Sequence, residues 1–149
     1  MNSLVQALVV DNDDGRRNKN ILALHRLELE VMTVKTMRSA LHLIATCPQI
    51  RVVVVNWQLP GIEQSQIGAG GIRVIQTAKS RGHNIFVVAV GCAPNVRAAD
   101  KALDAGANKL LLDPASGDEL CDLIRPQLSR LLAQEEAVTE ELELAGAPS

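Results

Sequence analysis

The sequence predicts a doubly wound α/β fold in three layers, a (βα)5 chain whose parallel sheet of five strands carries helices on both faces. Two observations predict it. Short runs rich in Val and Leu alternate with longer segments in which apolar residues recur every three or four positions. Of the 149 residues 47% are apolar, yet Trp57 and Phe86 are the only aromatics. The core must then be built from Leu, Val, Ile and Ala, which suits helices packed on a parallel sheet. A chain of this length is one domain, long enough to bury a core.

The elements follow in order. Leu4–Val10 reads as the first strand and stops at Asp11 and Asn12. Asp13 or Asp14 can cap the helix that follows, on which Ile21, Leu24 and Leu27 share a face. Leu29–Val34 is the second strand. Met37, Ala40, Leu41 and Ile44 then mark one face of a second helix. Arg51–Asn56 carries four successive valines into a turn that breaks at Pro60 and Gly61. The polar segment Gln64–Gly70 lies outside the pattern, and a third helix runs from about Gly71 to Ser80. Ile85–Val90 is the fourth strand, followed by Gly91 and Cys92. Val96, Ala99 and Leu103 mark the fourth helix, Lys109–Leu112 the fifth strand, and Leu120, Leu123, Ile124, Leu128 and Leu131 the last helix. All five strands read as buried on both faces. Beyond Leu132 five glutamates signal a frayed extension of that helix or a linker, which divides the chain into a domain at 1–133 and an acidic tail at 134–149.

Composition removes several function classes. A formal charge of −2, with no basic stripe or aromatic stacking platform, gives no reason to expect nucleic acid. No segment reaches the ~20 apolar residues of a membrane span, and the first residues lack the cationic start of a signal peptide. Cys47, Cys92 and Cys121 form no CxxC pair and read as small buried hydrophobes in a reducing cytoplasm. His25, His42 and His83 have no metal or triad spacing. Gly68, Gly70 and Gly71 stand before a helix, but they match neither the dinucleotide fingerprint nor the P-loop.

In a doubly wound sheet the functional crevice lies at the carboxyl ends of the strands. Those ends carry Asp11, Asn12, Asn56, Gly91, Cys92 and Asp113. Two carboxylates and two amides are a plausible shell for a hard cation, with Asp11 its first candidate. The same residue types commonly cap turns and satisfy backbone groups, and that plainer reading assigns no metal.

Three stretches carry a family resemblance: "LVVDND" at the first strand's end, "NWQLPG" at the third's, and "ALDAGANKLLLDP" through the fifth. Over about Val5 to Leu132 the chain resembles the receiver domain of bacterial response regulators. The resemblance implies the flavodoxin-like, CheY-like strand order 2-1-3-4-5. It also implies a phosphorylation device: an aspartate ending the third strand takes a phosphoryl group from a histidine kinase, with Mg²⁺ held by the acids after the first strand. A hydroxyl after the fourth strand and a lysine after the fifth bind the phosphoryl oxygens, and an aromatic on the fifth follows the switch.

Position by position the sequence departs from that device. Asn56 stands at the nucleophile, and an amide oxygen is a very poor nucleophile towards phosphate. Asp11 is kept, but Asn12 replaces the second acid. Gly91 replaces the hydroxyl, Leu110 the aromatic, and Asp113 the lysine, reversing its charge. The expectation is a pseudo-receiver with no catalytic residue and no cofactor, serving phosphorelay-type regulation as an interaction module. Its partner, a protein or a second copy, would dock on the face of the fourth helix, fifth strand and fifth helix, with Arg97, Asp100, Lys101, Asp104 and Lys109. Relative to the family Gln64–Gly70 is an insertion of roughly seven residues at the rim of the site. Two other readings stay open. One is the amino-terminal wing, or oligomerisation domain, of a pyridoxal-phosphate-dependent decarboxylase of ornithine, lysine or arginine. The other is a sensor whose emptied pocket takes a small ligand or a cation.

Overall fold

Five strands form: β1 Gln6–Val10, β2 Glu30–Val34, β3 Ile50–Asn56, β4 Phe86–Cys92 and β5 Lys109–Asp113. The helices are α1 Asp14–Arg26, α2 Met37–Thr46, α3 Ala69–Lys79, α4 Val96–Ala105 and α5 Gly117–Gly146. The computed structural model describes residues 5–62, 68–82, 84–92, 96–113 and 115–146, with the backbone alone at 96 and 134–146. Residues 63–67 of the inserted segment, and His83, lie outside the described residues. All strand pairs are parallel, in the order β2-β1-β3-β4-β5 that the receiver resemblance implies.

The valine run explains the layers. Successive strand residues point to opposite faces. Val53 and Val55 therefore enter a core with Met37, Ala40 and Ile44 of α2 and Val74, Ile75 and Ala78 of α3. Val52 and Val54 enter a second core, with Ala23 and Leu24 of α1 and Leu120, Ile124 and Leu131 of α5. Because both faces are covered, both sets of positions must be apolar. That expectation holds for β1, β3 and β4 and fails for β2 and β5. These two are the sheet's edges, each with one flank unpaired, and their Thr33 and Leu112 are exposed.

The helix starts follow their caps. Asp13 is the N-cap of α1, its carboxylate accepting from the Arg16 N–H at 2.7 Å. Thr36 caps α2 by accepting from the Ser39 N–H at 3.2 Å. The face of α4 differs from the one the spacing predicts. Leu103 is 45% exposed, while Ala102 is fully buried and Ala98, Ala99 and Ala105 pack against the core. Small residues let α4 lie close to the sheet, so the inward stripe is made of alanines and the larger Leu103 turns outward.

Helix α3 starts at Ala69, so Gly70 and Gly71 lie inside its first turn and not ahead of it. A Cβ at Gly70 would stand 1.9 Å from the Pro60 carbonyl oxygen, and one at Gly71 2.6 Å from that of Asn56. The glycines allow the helix to pack on the turn after β3. Cys121 is buried, its thiol donating to the Ala23 carbonyl at 3.2 Å. Cys47 and Cys92 are not the buried hydrophobes expected; they end α2 and β4, where the chain leaves the core, and both are half-exposed. His25 and His42 are exposed. Among the described residues, no helix is long and apolar enough to cross a membrane.

Candidate functional site

The carboxyl ends of β1, β3 and β5 bring Asp11, Asn56 and Asp113 to one edge of the sheet. Asp11 and Asn56 are 2% and 3% exposed, so their polar atoms need partners within the protein. Asp11 Oδ1 accepts from the Asp13 N–H at 2.9 Å and from Asn56 Nδ2 at 3.4 Å. The same amide donates to Asn12 Oδ1 at 3.2 Å, and Asn56 Oδ1 accepts from the Gln58 N–H at 2.9 Å. The carboxamide is used at both ends, as donor to the β1 residues and as acceptor for its own turn. A carboxylate at 56 could accept from Gln58 but could not donate to Asp11.

Charge balance comes from α1. Arg16 Nε donates to Asp11 Oδ2 at 2.5 Å and Arg16 Nη2 to Asp11 Oδ1 at 3.0 Å, a two-pronged pair. Arg16 Nη1 lies 3.7 Å from Asp113 Oδ2, and Lys19 Nζ donates to Asp113 Oδ1 at 3.3 Å. The hydrogen bond to Asp11 raises the pKa of Arg16 against the opposing effect of burial, so the guanidinium is held charged. Arg17 Nη1 donates to the Asp11 backbone carbonyl at 3.0 Å and Nη2 to Asp14 Oδ1 at 2.6 Å, which fixes the turn into the helix. Sequence reasoning misses Arg16 and Lys19. The signal was present: "DDGRRNKN" places three cations on the first turns of a helix that starts beside Asp11.

Gly91 is a residue of β4 and not of the loop after it. A Cβ here would fall 2.0 Å from Cε2 of the Trp57 indole. Trp57 is 1% exposed, and its backbone N–H donates to the Val90 carbonyl at 2.9 Å. The ring fills the room a side chain at 91 would need. Cys92 pairs in register with Asp113, and its thiol points to Asp113 Oδ2 at 3.9 Å. Leu110 is half-buried against the core that holds Ala89 and Ala102. Helix α3 does not offer its glycine amides to an anion, because the N–H groups of Gly70 and Gly71 both donate to the Leu59 carbonyl, at 3.0 and 3.2 Å.

The second group of predicted residues lies apart from this site. Arg97, Asp100, Lys101 and Asp104 are exposed on α4, and Lys109 is exposed at the start of β5. The same two elements also expose Leu103 and, at 55%, Leu112, which sequence reasoning assigns to buried positions.

The family model for the response regulator receiver domain matches residues 7–125. The chain belongs to this family. As a receiver domain it is similar to several solved structures. A CheY-like receiver domain protein from Methanospirillum hungatei JF-1 aligns with a TM-score of 0.73 at 20% identity, over 89% of this chain and 99% of that one. A probable two-component response regulator with a GGDEF domain aligns at 0.72 and 24% identity, over 85% of this chain and 50% of that one. NtrX from Brucella abortus, solved with ADP, aligns at 0.73 and 21% identity, over 91% of this chain and 30% of that one. At these identities the likeness is one of fold. No curated protein sequence matches the chain. Neither the decarboxylase wing nor the ligand sensor is favoured by these likenesses.

The Mg²⁺ that the receiver resemblance implies does not fit the residues present. Both oxygens of Asp11 already face a guanidinium, which would repel a dication, and Asn12 and Asn56 bring no charge to offset it. Among the described residues, no group of three or more His, Cys, Asp or Glu side chains is arranged to hold a metal ion.

Proposed function

We propose that this receiver domain is not phosphorylated and serves two-component signalling as a protein–protein interaction module. One observation carries the reading. At the end of β3, where the family resemblance implies the accepting carboxylate, Asn56 donates its amide to Asp11, and Arg16 stands between Asp11 and Asp113. The degenerate site is then Asp11, Asn12, Asn56, Gly91 and Asp113. An amide offers no anionic nucleophile, Arg16 takes the place of a metal, and Trp57 takes that of the hydroxyl at Gly91.

The interaction surface is the face of α4, β5 and α5, which receives a partner protein or a second copy. Exposed Leu103 and Leu112 supply apolar contact among Arg97, Asp100, Lys101, Asp104 and Lys109. The receiver unit is 1–133, and the acidic segment 134–149 leads away from it. Three free cysteines suit a reducing cytoplasm.

The test is incubation with acetyl phosphate and Mg²⁺, followed by intact mass and acid-lability measurements. The expected result is no added phosphoryl group. Stoichiometric acid-labile phosphate on the protein would refute the proposal.

A further inference from the structure

The amino-terminal end of the sheet, opposite the Asp11 network, carries an excess of cations. Lys79 closes α3, Arg81 follows it, and Lys109 opens β5. Arg130 lies on α5 beside Leu131, which shares a core with Val5 and Leu29 near the strand starts. Their hydrogen bonds go to neutral oxygens. Lys79 Nζ donates to the Ile85 carbonyl at 2.8 Å and to Asn108 Oδ1 at 3.0 Å, and Arg81 Nη2 to the Pro48 carbonyl at 2.7 Å. Arg130 donates to Gln127 Oε1 at 3.2 and 3.1 Å. Among the described residues none of the four cations is ion-paired with an acid, Asp104 in the last turn of α4 included. Burial and then the charge of Arg130 lower the pKa of Lys79, and burial and then the charge of Arg51 lower that of Arg81. The cations of this end repel one another.

From the same end α5 runs on as helix to Gly146. Residues 134–146 hold five glutamates, Glu135, Glu136, Glu140, Glu141 and Glu143, and no lysine or arginine. No i,i+4 ion pair can form within this stretch, Glu136 and Glu140 are like charges at that spacing, and glutamates near a helix C-terminus oppose its dipole. So short a stretch is marginal as a helix unless it packs against something. At a rise of about 1.5 Å per residue, positions 140 and 143 lie about 15 and 20 Å beyond Arg130 along the axis, which carries them away from the cations of their own chain. Apolar positions continue along the extension: Leu131, Val138 and Ala145 recur every seven residues with Leu142 among them, and Leu132 at its root is 41% exposed.

We propose that two copies of this chain associate through these ends, with the α5 extensions side by side and antiparallel and the glutamates of each copy against Lys79, Arg81, Lys109 and Arg130 of the other. A two-fold pair needs a surface that complements itself, and a cationic edge joined to an anionic helix is such a surface. The apolar line supplies contact, while the charges select a second copy and the antiparallel sense. Parallel copies would set glutamates beside glutamates. The association uses a different end of the molecule from exposed Leu103 and Leu112, and it does not depend on whether the receiver is phosphorylated.

Sedimentation equilibrium of the full chain reads the association at about 0.1 M and about 1 M salt, where charges are felt over about 10 Å and about 3 Å. A dimer is expected at tens of micromolar protein in the lower salt, weakened by about tenfold in the higher. Lys109 and Arg130 are exposed, so K109E/R130E should fold normally. Each substitution acts twice in a two-fold pair, and the four surface ion pairs lost amount to about tenfold in affinity. Adding E140K/E143K to that variant should restore the dimer, while L103E/L112E should leave it unchanged. In a mixture of ¹⁴N and ¹⁵N chains, a zero-length carbodiimide cross-link should join Lys79 or Lys109 of one copy to a glutamate at 135–143 of the other. The proposal is overturned if the chain is a monomer at about 200 μM in the lower salt, an affinity too weak for a specific pair. It is equally overturned if the dimer ignores salt, if the charge exchange does not restore it, if L103E/L112E abolishes it, or if every such cross-link lies within one copy.

Discussion

Replacing Arg16 by alanine tests whether the polar network at the strand ends depends on its built-in cation. The substitution leaves the Asp11 carboxylate, 2% exposed, without its charged partner. Removing one member of a buried ion pair costs about 3–5 kcal/mol. Two terms reduce that here. Asp11 keeps the Asp13 N–H at 2.9 Å and the Asn56 amide at 3.4 Å, and water can enter the space left by a side chain that is already 14% exposed. Arginine in the first turn of a helix also works against the helix dipole by about 0.3–1 kcal/mol, which alanine relieves. The net loss at neutral pH should be about 2 kcal/mol. In urea, with a slope of about 1–3 kcal/mol per molar, the midpoint falls by about 1 M.

Magnesium separates this explanation from simple loss of packing. With Arg16 gone, Asp11 and Asp113 face each other across an open site and can attract a dication. A dissociation constant near 1 mM would return about 1.4 kcal/mol at 10 mM Mg²⁺, whereas the wild type should show no such gain. A loss under about 0.5 kcal/mol, the size of an ordinary surface change, would refute the reasoning. So would equal Mg²⁺ stabilisation of both proteins.

Two further outcomes follow from the coordinates. Gly91→Ala sets a Cβ 2.0 Å from the indole of Trp57, so the ring must move; stability should drop by about 1–3 kcal/mol and tryptophan emission should shift to the red, and unchanged emission would contradict the packing described. Asp14, fully exposed, has its pKa lowered first by the hydrogen bond from Arg17 and then by the charge of Lys35. A carboxylate depressed in the folded state adds stability that is complete above its unfolded value, about 3.9, and is lost as pH falls through the lower folded value. The melting-temperature gap between wild type and Asp14→Asn should therefore be open at about pH 6 and close towards about pH 2; a gap that persists in acid would show that the contribution is not ionic.

The fold was legible because β3 and β4 announce themselves. A strand buried on both faces has no polar alternation to preserve, and "VVVV" admits little else. The edge strands were harder to place in the core, since sequence alone does not say which flanks stay unpaired. The face of α4 was misassigned because alanine carries a weak apolar signal, and Leu103 dominates any pattern that weighs size. At the site, the positions of Asp11, Asn56 and Asp113 followed from strand ends. Their charge partner did not, because Arg16 reaches Asp11 through the geometry of one helical turn and Asp113 only through the sheet order. The position of Trp57 over Gly91 is likewise a tertiary fact. Only the absence of a side chain at 91 hinted that something else needed the room.

The indole over β4 and the guanidinium on α1 together limit which residues positions 56 and 91 can accept one at a time. An aspartate introduced alone at 56 would meet Asp11 across a lost hydrogen bond, with Arg16 still in residence. A serine introduced alone at 91 would collide with the ring. Either exchange asks a neighbour to change in the same step, so the two strand ends are interlocked through side chains from other elements.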